Sequence, residues 1–166
     1  MVWCGIHDRK LLGPYFFDQP INGAVYLQFL KTRLWNVLEE MPLNLRNSLW
    51  FQHDGAPPHY AAAVRNWLNE TFQNRWVGRG GSVNWPARSP DLSSCDFFLW
   101  GHLKGIVFQT PVENLNNLRR RITNACTEIT QEMLKNTEAA FIRRLEKCIY
   151  NNGGHVEGVS IEGNVQ

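Results

Sequence analysis

Phe51-Gln-His-Asp-Gly-Ala-Pro-Pro-His59 and, further on, Trp85-Pro-Ala-Arg-Ser-Pro-Asp-Leu-Ser-Ser-Cys-Asp96 are the stretches whose reading decides the fold. The first ends a short apolar run, Ser48-Leu-Trp-Phe-Gln52, on a carboxylate, and Gly55 then turns the chain. An acid at the end of a strand sits at the rim of a sheet, where ligand sites of α/β folds are found. The second stretch places Asp96 in the opening turn of a predicted helix, where the helix dipole favours a negative charge. Local readings compete with the functional one. Asp54 also suits an Asx-turn closing a strand, and Ser93-Ser-Cys-Asp96 has the form of a capping box.

Working outward, Met1 to Ile6 and Leu11 to Phe17 are aromatic and β-branched runs around His7-Asp-Arg-Lys10, the pattern of a β-hairpin. Asn22-Gly opens a helix whose steps of three and four predict Leu27, Leu30, Leu34, Val37 and Met41 as the buried stripe, with Pro42 as its stop. A helix after Pro57-Pro58 runs to about Phe72, with Val64, Trp67 and Leu68 on one face. Arg75-Trp-Val-Gly reads as a further strand, and Gly80-Gly-Ser-Val-Asn-Trp-Pro as an irregular loop. Then come three helices. The first spans Phe97 to Val107 and is begun by Ser93 or Ser94. The second is capped by Thr110-Pro-Val-Glu113, with Leu115, Leu118, Ile122 and Ala125 inward. The third starts at Thr130, with Leu134, Phe141, Leu145 and Cys148 inward, and ends at Asn152-Gly-Gly. Few strands separated by helices give an α/β layer fold.

The 166 residues fit most simply one domain, with 43% hydrophobic residues and seven Trp, enough for a substantial core. Trp3, Trp35, Trp50 and Trp67 lie on apolar faces and are read as core. A net charge of +2 is too mild to announce a nucleic-acid binder on its own. Four scattered Cys without a C-x-x-C pair argue against a zinc module or a disulfide scaffold. His53 and His59 do not form an established zinc spacing. No apolar stretch approaches the roughly 18 residues of a membrane span. Arg75, Arg79 and Arg88 surround the Gly-rich connection and are candidates to face a phosphate backbone, although isolated arginines are usually just solvated. Arg119 to Arg121 and Arg143-Arg144 are read as a polar outer helix face.

His53-Asp-Gly-Ala-Pro-Pro-His59 together with Ser89-Pro-Asp-Leu-Ser-Ser-Cys-Asp96-Phe-Phe-Leu-Trp100 closely resembles the mariner-like transposases, the insect-type branch of the DDE/D superfamily. The likeness runs from Met1-Val-Trp through Gly13-Pro14 and Trp76-Val-Gly-Arg-Gly-Gly81 to Asn152-Gly-Gly-His155, nearly the whole chain. It implies a ribonuclease-H-like mixed sheet flanked by helices. It also implies two divalent ions, Mg²⁺ or Mn²⁺, used to cut DNA and join the released 3′ end to a target. By position, Asp54 matches the family's second catalytic, metal-binding acid and Asp96 the third. Asp91 matches an aspartate that is not a metal ligand. Ser94-Cys95 departs from the family's usual filling there.

The family's first acid lies on a central strand that precedes the hairpin. Asp8 and Asp18 are placed in or just after the hairpin and do not substitute for it. The expectation is therefore a truncated catalytic domain over residues 1–155, lacking the first central strand, with a loose tail over 156–166. Its metal site would be incomplete and its chemistry lost. Val2 to Ile6 would then pair directly with Leu49 to Gln52, or a gap would be left. The resemblance further implies DNA as partner, a homo-oligomer and, from the DNA substrate, a nuclear location. A domesticated DNA- or protein-binding module without chemistry is the alternative.

Overall fold

Strands β1 (Val2–His7) and β2 (Lys10–Phe16) form an antiparallel hairpin. Its two-residue turn, Asp8-Arg9, has φ of 45° and 56°, the left-handed pair that matches the twist of flanking strands. The computed structural model describes residues 1–85, 89–154 and 156. By contacts the chain divides into two units: Asp18–Arg88 with Met1, and Val2–Phe17 with Ser89–Gln166.

In the first unit, helix α1 (Gly23–Phe29) is capped by Asn22, whose side chain accepts from the Val25 amide at 3.0 Å. The helix does not run on regularly. A π turn, Leu30–Leu34, leads into α2 (Trp35–Glu39). The wider turn rotates the apolar stripe to Tyr26, Phe29, Leu30, Leu34 and Leu38, leaving Val37 exposed and Leu27 and Met41 half-buried. The predicted steps of three and four assumed an unbroken 3.6-residue period, which the π turn interrupts. A short helix that the pattern did not predict, α3 (Leu43–Ser48), follows Pro42.

Strand β3 (Phe51–Gln52) ends at His53-Asp54. Helix α4 (Ala62–Phe72) buries Val64, Leu68 and Phe72. Strands β4 (Trp76–Gly78) and β5 (Val83–Asn84) complete a parallel sheet of order β3-β4-β5. Trp76 is fully buried, and its indole N–H donates to Asn69 Oδ1 at 2.8 Å. Trp50, expected in the core, is 55% exposed, and Trp3, Trp35 and Trp67 are half-buried. Among the described residues no ladder joins β1 to β3, so the direct pairing held open from the sequence is not found.

The second unit packs the hairpin with α5 (Trp100–Val107), which follows a π turn at Cys95–Leu99. Cys4, Leu99, Leu103, Val107, Ala125 and Cys126 form its core. Hydrogen bonding to Cys126 and burial push the Cys4 thiol far up, so it stays protonated. Helix α6 (Leu115–Thr127) starts later than its Thr110-Pro signal suggested, because Asn114 is the cap and accepts from the Asn117 amide at 2.9 Å. The carbonyls of Thr110 and Pro111 are taken instead by the Arg121 guanidinium at 2.8 and 3.0 Å, which also reaches Val107 O at 3.0 Å. One side chain thus satisfies the end of α5 and the following loop. Leu115, expected inward, is exposed. Helix α7 (Gln131–Tyr150) is capped by Thr130, as its sequence signalled. It buries Leu134 and Thr137, while Phe141 and Cys148 are half-buried and Leu145 is exposed. No described helix is long and apolar enough to cross a membrane.

Candidate nucleic-acid-processing site

Asp54 lies at the carboxyl end of the parallel strand β3, and β4 runs alongside in the register Phe51 to Trp76 and Gln52 to Val77. The His53 amide extends the ladder by donating to Val77 O at 3.1 Å. Beyond that point the chain turns. Oδ1 of Asp54 accepts from the Ala56 amide at 3.0 Å, which is the Asx-turn reading realised. The same oxygen lies 2.6 Å from Nδ1 of His59. Nδ1 also lies 3.2 Å from the Asp54 carbonyl oxygen. Both neighbours are acceptors, so Nδ1 carries the proton and donates to them.

The imidazole of His59 is held by ring contacts, tilted against Tyr26 and parallel to His53. Its ring centroid is 4.2 Å from Tyr26 and 4.8 Å from His53, the two histidine planes only 7° apart. The bond from His59 and that from the Ala56 amide hold the Asp54 carboxyl below its ordinary range. It is ionised at neutral pH, with its side chain 57% exposed and both recorded contacts on Oδ1. Oδ2 is free of protein donors among the described residues.

His53 is the buried partner. Burial, then the neighbouring His59, pushes its pKa down to about 3, so the ring is neutral. Its Nδ1 is 3.4 Å from the Tyr26 hydroxyl, while Nε2 is enclosed without a hydrogen-bond partner. Gly78 on β4 makes room for this ring, because a Cβ there would come within 2.5 Å of His53 Cδ2. The sequence reading took His59 as a helix-start residue facing the loop and His53 only as its flank. The signal it passed over is that two histidines bracket the acid, Asp54, in one short turn.

Asp96 belongs to the second unit. It is exposed in the first turn of the π segment Cys95–Leu99, and its amide donates to Ser93 O at 2.9 Å. Ser94, the backbone cap, makes no side-chain cap bond. Asp91, five residues earlier, has a different place: it is buried, its Oδ2 accepts from the Val156 amide at 3.1 Å, and its carbonyl accepts from Arg144 at 3.1 Å. That is a fastening role.

Among the predicted arginines, Arg79 is exposed with its stem against Gly55, where a Cβ would lie 3.7 Å away. Arg75 is half-buried, its Nε enclosed without a partner. Arg88 lies outside the described residues. The expected polar outer face of Arg119–Arg121 and Arg143-Arg144 is only partly that. Arg119 stacks over Phe16, Arg121 binds three carbonyls, and Arg144 stacks over Phe97, whereas Arg120 and Arg143 are exposed.

Asp54 and Asp96 are carboxylates, the hard oxygen donors that suit Mg²⁺ or Mn²⁺. The fit is partial: among the described residues no three His, Cys, Asp or Glu side chains gather as a metal-binding group.

No protein-family profile matches the chain. It is 27% identical over 158 residues to the transposable element Tc3 transposase of Caenorhabditis elegans, covering 94% of this chain and 45% of that protein. The chain thus spans less than half the length of the curated relative it matches. Among solved structures it is similar to the catalytic domain of Mos1 mariner transposase, with a TM-score of 0.69 and 25% identity, covering 89% of this chain and 69% of the other. The same domain solved with raltegravir and Mg gives the same TM-score and identity and covers 70% of that chain, and a further structure of it contains Mn. The fold is therefore the ribonuclease-H-like α/β architecture of that domain, and the chain is similar over most of its length to a portion of a mariner-like, DDE-type transposase catalytic domain.

Proposed function

We propose that this chain carries two of the carboxylates of a metal-dependent DNA-cleaving and strand-joining site, Asp54 and Asp96, and that its partner is DNA. The observation behind the reading is Asp54 itself: an ionised, exposed carboxylate at a strand end, with one oxygen anchored by His59 and the other facing outward. A divalent ion held there would polarise a phosphate oxygen and activate a hydroxyl nucleophile. The chain's own residues hold the acid in one orientation. His59 and the Ala56 amide fix Oδ1, and the stack of Tyr26, His59 and His53 keeps the imidazole from swinging away.

Mos1 has been solved as a paired-end complex with Mn, a likeness that supports DNA as this chain's partner, and a homo-oligomer belongs to the same proposal. A DNA substrate puts the work of this domain in the nucleus.

The test is Mn²⁺ titration followed by paramagnetic broadening of amide resonances. Signals of Gly55 and Ala56, and of Asp96 and Phe97, should broaden selectively, and those near Asp54 should recover in Asp54→Asn. Broadening that ignores both positions would overturn the assignment.

A further inference from the structure

We infer that Arg65, Tyr60 and Arg79 form a binding site for the phosphate oxygens of a nucleic-acid backbone, set beside Asp54. The two guanidinium carbons lie 4.5 and 4.2 Å from the centroid of the one Tyr60 ring. Two like charges held this close repel, and the ring face offsets only part of that. Neither arginine has a carboxylate within ion-pair distance among the described residues. Arg65 donates from Nε to the Tyr60 carbonyl at 3.2 Å, which fixes the fork and leaves its terminal nitrogens without a protein acceptor among the described residues. Arg79 has no protein acceptor among the described residues. The position of Arg65 is itself unfavourable, in the first turn of α4, where the helix dipole disfavours a cation.

The contrast with the other partnered arginines is what selects this pair. Arg9 is matched by Glu138, Arg121 by three carbonyls and Arg144 by the Asp91 carbonyl. In those cases the protein uses the guanidinium for itself. At Tyr60 it gathers two, and of their ten N–H donors only one, on Arg65 Nε, has a protein acceptor among the described residues. Paired planar forks of this kind suit phosphate oxygens.

The backbone is shaped to the cluster. Gly80, at φ +73°, comes so near that a Cβ would lie 3.1 Å from Tyr60 Cε2 and 3.2 Å from Arg65 Cδ. The stem of Arg79 rests on Gly55, the residue after Asp54. A backbone phosphate bound here would therefore run past the proposed metal-binding carboxylate, with the arginines setting its path. The inference rests on the DNA reading given above and names the residues through which this unit meets the substrate.

Binding of a short labelled DNA duplex to the whole chain, measured by anisotropy over a salt series, tests it. Arg65→Gln and Arg79→Gln should each weaken binding independently of DNA sequence and lower the log–log salt slope by about 0.9. The double variant should lose roughly twice that slope, while Lys at either position keeps most of it. Tyr60→Leu should weaken binding and Tyr60→Phe should not, because the ring face is what collects the cations. Arg143→Gln, an exposed arginine on α7, serves as the control. A double variant indistinguishable from that control, in a wild type that binds DNA, overturns this site and leaves the DNA reading standing. A wild type that binds no duplex at low salt overturns both.

Discussion

Nδ1 of His59 stands 2.6 Å from Oδ1 of Asp54, and the imidazole that makes this bond is stacked against Tyr26 and His53. The acid at the strand end is thus aimed by a ring that the protein has itself immobilised. Its folded pKa is depressed, so the bond contributes stability above the ordinary carboxylate range, and that contribution is lost as pH falls through the folded value.

In His59→Ala, the Asp54 carboxyl should titrate closer to its ordinary range than in wild type. Carboxyl carbon shifts followed by NMR would show this. An unchanged titration would mean that the Ala56 amide alone sets the value.

His53 gives a second pH dependence, at higher pH. Its folded pKa, about 3, lies below its ordinary 6.5, so the unfolded chain takes up the proton first. Stability present above pH 6.5 should decline steadily as pH falls toward 3, by about 2 kcal/mol between pH 7.5 and pH 5. Denaturant melts at several pH values would measure it. His53→Leu should flatten the slope over that window, and an equally steep slope in that variant would assign the effect elsewhere.

Gly78→Ala should destabilise the first unit by about 1–3 kcal/mol, since the new methyl overpacks against a buried ring. The clash is specific: Cβ would meet His53 Nε2 at 2.7 Å and Trp76 Cζ3 at 2.9 Å. The double variant Gly78→Ala/His53→Ala should recover part of the loss. No recovery in urea melts would place the cost on Trp76.

Arg121→Ala should cost about 2 kcal/mol, because a charged donor is removed from a partly enclosed group of three carbonyls. Arg121→Lys should rescue little of it, since an ammonium is a compact point charge and lacks the planar fork that reaches three carbonyls. Thermal melts of the two variants decide this, and a fully stable lysine variant would show that charge rather than geometry matters.

Much of the fold was legible because local chemistry was consistent with it. The Asp8-Arg9 hairpin turn, the Asn22 and Thr130 caps and the strand ending at Asp54 all follow from short-range rules. The misplaced inward residues trace to longer-range causes. Val37 points outward because a π turn shifted the helix phase, and no apolar periodicity announces a π turn. The start of α6 moved because Arg121, far along the helix, claimed the carbonyls that a Thr110 start would have turned inward. In the site, the acids were legible as residues, whereas the stack around His59 was not. Tyr26 reaches it from a helix far upstream, and only folding brings the rings together.

The two aspartates of the Ser-Pro-Asp-Leu-Ser-Ser-Cys-Asp phrase divide their labour. Asp96 faces solvent, while Asp91 is a buckle that clasps the Val156 amide just past the last helix. The segment just past α7 is in this way sewn to the turn that launches the Asp96 helix. Trimming the polypeptide behind Tyr150 would undo that stitch, and the loosening would be felt at the acid rather than at the cut.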